Sequence, residues 1–257
     1  MTIAKNGESI ESLDDWRRLA PPKSPHHWTE DRSAMEVARA WLEGGGAHLP
    51  QEVQEALSAH PSFGPVTSWE GEPEAKLRFD SFAGEPRNSD LLVIAQDNHG
   101  PYVLAVEAKA DEPYGTTVGD AFAAALERRI GNPRSKGVAR IESLAASLLR
   151  PKIGHASKAS QLRYQLLTAC AGAVAEAERR RTNRAVMQVH EFVTAATSAA
   201  NHERNAADLA RFIERLSGHA LDTVSEGKLY GPFESTTAKA VQLFVGKVSR
   251  NIRRDDA

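Results

Sequence analysis

Two strand-length runs on either side of a short polar break constrain this chain more than any other feature. Residues 90 to 95 read Asp-Leu-Leu-Val-Ile-Ala and residues 102 to 109 read Tyr-Val-Leu-Ala-Val-Glu-Ala-Lys. Between them lies Gln96-Asp97-Asn98-His99-Gly100-Pro101, whose Asn, Gly and Pro suit the turn of a β-hairpin. Val103, Leu104 and Val106 form the near-continuous apolar run of a strand covered on both faces. Residues two apart in a strand share a face, so Glu107 and Lys109 project together while Ala108 turns the other way. A hairpin folded on that turn sets Asp90 beside Glu107 and Lys109.

Two carboxylates and an ammonium then converge at the end of a buried strand, where charges need partners. Mg²⁺ suits such a pair, because it takes one or two carboxylates and fills its remaining positions with water and phosphate. A lysine beside the ion can orient or deprotonate the attacking water and steady the charge growing on a phosphate. The plainer reading of the same three residues is a solvated ion pair capping a strand.

Three longer stretches carry a resemblance. They are Arg87-Asn88-Ser89-Asp90-Leu91-Leu92-Val93, the run from Val106-Glu107-Ala108-Lys109 through Pro113-Tyr114-Gly115 to Gly119, and Leu162-Arg163-Tyr164-Gln165-Leu166-Leu167. Together they resemble the PD-(D/E)xK, or restriction-endonuclease-like, nuclease superfamily, and within it a bacterial domain-of-unknown-function family, over residues 10 to 250. The resemblance implies an α/β fold with a mixed β-sheet core flanked by helices. It implies Asp90 and Glu107 as ligands of Mg²⁺ or Mn²⁺, and Lys109 as the residue that positions or activates water. It further implies hydrolysis of a phosphodiester, in DNA first, by in-line attack leaving a 5′-phosphate, in bacterial defence or DNA processing. Ser89 stands where the superfamily often has proline.

Members of that superfamily often set a further acid on the first core helix, and Glu36 is the best match, ahead of Glu43. The bland reading is an exposed glutamate favoured by a helix N-terminus. Gln165, with Arg163 or Tyr164, is expected by resemblance to touch the metal water or the scissile phosphate, against the reading of an ordinary exposed helix face. Asp80 would replace Asp90 under a shifted register.

Along the chain, residues 1 to 32 read as an extended N-terminal segment, 33 to 250 as one domain and 251 to 257 as a tail. Ser33 or Asp31 can cap a helix over 34 to 43 that Gly44-Gly45-Gly46 ends, and a second helix starts at Pro50. The apolar stripe of the helix over 34 to 43, Ala34, Val37, Ala38, Trp41 and Leu42, leaves Glu36 and Glu43 outside. Strands are predicted over 75 to 82, 90 to 96 and 102 to 109, and helices over 117 to 129, 137 to 149 and 159 to 181. A strand over 185 to 193, a helix over 203 to 217 and a strand over 240 to 248 complete an α/β order.

Charge and cysteine usage narrow the partners. With a net charge of −2, the chain could hold nucleic acid only through a local basic patch. Two candidates are Arg179, Arg180, Arg181 and Arg184, and Arg128, Arg129, Arg134 and Lys136. Arg250, Arg253 and Arg254 read as a mobile tail. The single Cys170 reads as a buried, inert thiol. His190-Glu191 reads as core and not as a metal pair. No run approaches a membrane span and no signal-peptide core opens the chain, which sets the expectation of a cytoplasmic protein without a membrane partner. A homodimer would match a duplex cut on both strands, and a defence-system protein is the other expected partner. A module of the same fold that binds nucleic acid or protein without catalysis, and a nuclease acting on RNA, remain the alternatives.

Overall fold

The computed structural model describes residues 1–82, 84–151, 154 and 157–252. Eight strands form one mixed sheet: β1 (Thr2–Lys5), β2 (Glu8–Ser9), β3 (Ser68–Leu77), β4 (Arg87–Asp97), β5 (Gly100–Lys109), β6 (Arg184–Val193), β7 (Leu229–Glu234) and β8 (Gln242–Asn251). Their order across the sheet is β2-β1-β3-β4-β5-β6-β8-β7. The β3-β4-β5 meander is antiparallel, whereas β5, β6 and β8 run parallel.

Helices cover both faces. On one side lie α1 (Leu13–Leu19), α2 (Ser33–Trp41) and α3 (Gln51–Ser58), and on the other α4 (Val118–Gly131), α5 (Gly137–Leu148), α6 (Tyr164–Arg179) and α7 (Ala199–Ser217). The alternation of β5 builds both cores at once. Val103 and Ala105 pack with α5, α6 and α7, while Leu104, Val106 and Ala108 pack with α1, α2 and α3. The turn between β4 and β5 is tighter than the whole polar stretch, since Asp97 already pairs with Gly100.

Several expectations need correction. The N-terminal 32 residues are not simply extended: β1 joins the sheet beside β3, and Ser12 caps α1 by accepting from the Asp15 amide. The first predicted strand lies earlier than expected, at β3, because Gly71 and Pro73 obscured its alternation of buried Trp69, Gly71, Pro73, Ala75 and Leu77. Pro73 is tolerated since pairing with β1 on that side stops at Gly71. The end of the predicted strand over 75 to 82 is loop, and β7 was not expected at all. The long helix starts at Tyr164 and not at 159, the last helix starts four residues early at Ala199, and the last strand runs on to Asn251. Arg250 is no part of a mobile tail, because it sits in β8 and binds both Glu52 and Glu43. Arg253 and Arg254 lie outside the described residues.

Candidate functional site

Asp90 stands where the sheet loosens on both sides. The β4–β5 ladder ends at Leu91↔Val106, and the next free β5 amide, that of Ala108, donates instead to the Asp90 carboxylate at 2.7 Å. On the other side the β3–β4 ladder pairs Pro73 with Leu91 and Ala75 with Ser89, passing over Glu74 and Asp90. Glu74 has φ +48° there, a left-handed conformation that is uncommon for a residue with a side chain. The hairpin thus brings Asp90 against Glu107 and Lys109, as its folding on the turn required.

Glu107 is the hub. It is 2% exposed. Lys109 Nζ donates to its Oε1 at 2.8 Å, the Gln165 amide in the first turn of α6 donates to the same oxygen, and Arg87 pairs with Oε2. Arg87 is fixed in turn by the Gln165 carbonyl and the Thr168 hydroxyl. Burial works against the Glu107 charge, yet Lys109 and Arg87 outweigh it and hold its carboxyl below the usual range. Burial likewise opposes the Lys109 ammonium, and Glu107 with Asp90 more than compensate, so Lys109 is held cationic. Its Nζ also sits 5.4 Å from the ring centroid of buried Tyr114.

Asp90 is the unbalanced member. Burial first, and the Glu107 charge second, push its carboxyl up to about 7. Glu74, itself raised by burial, adds to that repulsion. The Asp90 oxygen that the Ala108 amide leaves free accepts no hydrogen bond among the described residues. Hard oxygen donors with an unmet demand for positive charge fit a divalent cation completed by water and phosphate. Among the described residues, no group of three or more His, Cys, Asp or Glu side chains could hold a metal ion unaided.

The expected residues are therefore not all gathered. Asp90, Glu107, Lys109 and Gln165 meet. Glu36 is buried, contrary to the reading of an off-stripe surface residue, and accepts from the Asp31 amide and from Arg39. Its helix α2 packs in the layer opposite α6. Asp80 lies beyond β3 and is bound to Arg140 at 2.6 Å, and Arg163 is bound to Asp208 at 2.7 Å and to the Gly115 carbonyl. Glu43 pairs with Arg250.

Three neighbours take part in ways that local sequence does not show. Arg87 precedes Asp90 on β4 and Glu74 lies opposite it on β3, and only the folded ladder shows which charges they face. A third is Glu191, which pairs in register with Lys109 and holds Lys247 at 2.5 Å and His202 at 2.9 Å. His190 behaves as core: it is fully buried, its Nε2 meets Glu52 at 2.9 Å, and burial lowers its pKa. Cys170 is buried and its thiol is pushed up by that burial.

No helix among the described residues is long and apolar enough to cross a membrane. A protein-family model described as Domain of unknown function (DUF6946) matches residues 9–252. No curated protein and no solved structure matches the chain.

Proposed function

We propose that this chain, which belongs to the DUF6946 family, is a metal-dependent nuclease with a restriction-endonuclease-like core, hydrolysing phosphodiester bonds in DNA. The observation that carries the reading is the meeting of Asp90, Glu107, Lys109 and Gln165 at a break in the sheet, with Asp90 left short of positive charge.

Asp90 and Glu107 are the residues that would hold Mg²⁺ or Mn²⁺, and such an ion, when bound, supplies a Lewis acid for the phosphate and a more acidic water. The chain's own residues do the rest. Lys109, held cationic, orients the attacking water through an N–H of Nζ and offsets negative charge that grows on the phosphate. Gln165 and Arg87 fix the Glu107 carboxylate between two strands and a helix. Burial keeps bulk water from screening these charges.

The test is cleavage of supercoiled plasmid, single-stranded DNA and RNA with Mg²⁺ or Mn²⁺, by the wild type beside Asp90→Ala and Lys109→Ala. Metal-dependent cutting lost in both variants is the expected result, and the best-cut substrate names the class. Equal background from all three proteins refutes the reading. One observation favours a second reading, a non-catalytic binding module: both Glu107 oxygens are already taken by Lys109, Gln165 and Arg87. Titration calorimetry that finds no Mg²⁺ or Mn²⁺ site dependent on Asp90 and Glu107 would select it.

A further inference from the structure

The two basic clusters of the sequence have opposite fates in the fold. Arg179 and Arg180 both bind the buried Glu176 carboxylate, and Arg184 is buried on Asp97. That cluster is largely spent on the protein itself. Arg128, Arg129, Arg134 and Lys136 line the turn between α4 and α5, all are exposed, and none forms an ion pair among the described residues. Glu127 is the sole acid between Ala121 and Lys136.

The turn is built to hold its shape. The Asn132 amide returns to the Arg128 carbonyl, the Asn132 side chain accepts from the Arg134 amide, and Arg129 donates to the Ser135 carbonyl at 2.9 Å. Gly137 lies against Ala125, close enough that an added Cβ would stand 3.1 Å from the Ala125 Cβ. Ordered cations lose less freedom when they meet a fixed array of anions.

Its place relative to Asp90 is also fixed. The N-terminal end of α4 is stitched to that of α6 by the Val118 amide on the Leu162 carbonyl and the Tyr164 amide on the Thr116 carbonyl. Gln165, which touches Glu107, follows one residue later. At about 1.5 Å per residue, α4 then carries the turn roughly 17 Å out from that junction, a span of a few nucleotides.

We infer that the α4–α5 turn is a phosphate-backbone contact that grips a DNA strand while its scissile phosphodiester lies at the Asp90 site. The inference rests on the nuclease reading for the identity of the polyanion. It adds where the polyanion is held, and it uses no base contact, so the grip is indifferent to sequence. Each phosphate neutralised releases counterions, which gives the contact a signature in salt.

The experiment is fluorescence anisotropy of a labelled DNA duplex with the full chain, in EDTA so that nothing is cut, across a series of salt concentrations. The variant Arg128→Ala/Arg129→Ala/Arg134→Ala/Lys136→Ala is compared with Arg17→Ala/Lys23→Ala/Lys76→Ala/Lys239→Ala, which removes the same charge from scattered exposed positions. Loss of the turn should weaken binding at least tenfold and flatten the slope of log K against log salt by about 0.9 per lost phosphate contact. The scattered variant should keep most of the wild-type slope. Circular dichroism melting checks that both variants fold, and Arg129→Glu alone, a milder change to the chain, should reproduce the direction.

Equal affinity and slope in wild type and turn variant would overturn the inference. So would a turn variant that binds DNA normally while Ile130→Asp changes the sedimentation coefficient. Ile130 and Leu126 are 69% and 43% exposed on α4, and that result would assign the hairpin to a second copy of the chain. Binding is read apart from cutting, so the two readings fail separately. A wild type that binds through the turn but cuts nothing sinks the nuclease, and a turn variant that matches the affinity and slope of a wild type that cuts sinks the grip.

Discussion

The β4–β5 hairpin holds buried charge at each end, and the two ends are satisfied to very different degrees. At the turn, Asp97 accepts from both terminal nitrogens of Arg184 at 2.8 Å, from the Gly64 amide at 2.9 Å and from the His99 amide at 2.8 Å. Arg184 also donates to the Ser62 and Gly100 carbonyls, and its guanidinium lies about 5 Å from the ring centroids of Phe63 and Tyr102. Charges balance, and within the ion pair Arg184 Nε alone has no hydrogen-bond partner among the described residues. Burial opposes the Asp97 charge, but Arg184 and the amides outweigh it and lower its pKa.

At the open end, two acids with Glu74 nearby face Lys109 and Arg87, and the geometry rewards Glu107 while leaving Asp90 raised. A buried pair with nearly all its hydrogen bonds made locks a fold, whereas a buried acid left short of positive charge is a candidate for a function. The difference teaches that buried charge is not itself a functional signal. The imbalance is.

The largest expected effect sits at the open end. Lys109→Ala should lower DNA cleavage by roughly 10²–10³-fold, the span lost with one preorganised donor to a developing charge, with DNA affinity in EDTA little changed. A loss of binding equal to the loss of rate would make Lys109 a mere binding contact.

Asp97→Ala tests the lock. It leaves Arg184 buried without its acid, and urea unfolding should show a loss of about 3–5 kcal/mol. A loss below about 1 kcal/mol would erase the contrast between the two ends.

The two ends should also respond oppositely to pH. Asp97, with a lowered folded pKa, contributes stability at neutral pH that disappears as pH falls through that value. Asp90, raised from 3.8 to about 7, binds a proton more tightly in the folded chain, so its contribution weakens as pH rises across that window. The slope is at most about 1.4 kcal/mol per pH unit. Thermal melts of Asp90→Asn should therefore gain on the wild type more at pH 7.5 than at pH 5. Added Mg²⁺ at pH 7.5 should raise the wild-type Tm and leave the variant unmoved. A gain that is the same at both pH values would remove Asp90 from the role of surplus charge.

The smallest effect belongs to Tyr102, whose buried hydroxyl has no hydrogen-bond partner among the described residues. Tyr102→Phe should cost nothing or stabilise by up to about 1 kcal/mol in the same urea assay. Clear destabilisation would reveal a partner for that hydroxyl.

Much of this was legible in the chain because the relevant signals are local. Apolar runs ending in Asp90 and in Glu107-Ala108-Lys109 predicted two adjoining strands and the meeting of their charges. Other features depend on partners far away in sequence. Glu36 falls outside the apolar stripe of its helix, yet the Asp31 amide and Arg39 allow it to be buried. Arg87 looks like any strand-end cation until Gln165 and Thr168 fix it on Glu107. Two basic clusters of similar composition could be separated only by finding which carboxylates reach them. β1 and β7 are short and carry little apolar alternation, and they become strands because β3 and β8 offer edges to pair with.

The placement of β8 between β6 and β7 has a kinetic consequence. Every residue of β6 from Arg184 to Phe192 is buried, and one of its two edges is covered only by a strand made some fifty positions later. Until residues 242–251 dock, that edge offers unpaired backbone along an apolar strand, a template for pairing with another chain. Closing so distant a parallel contact is slow, so aggregation competes with folding in that interval. A chain shortened before β8 would carry the hazard permanently.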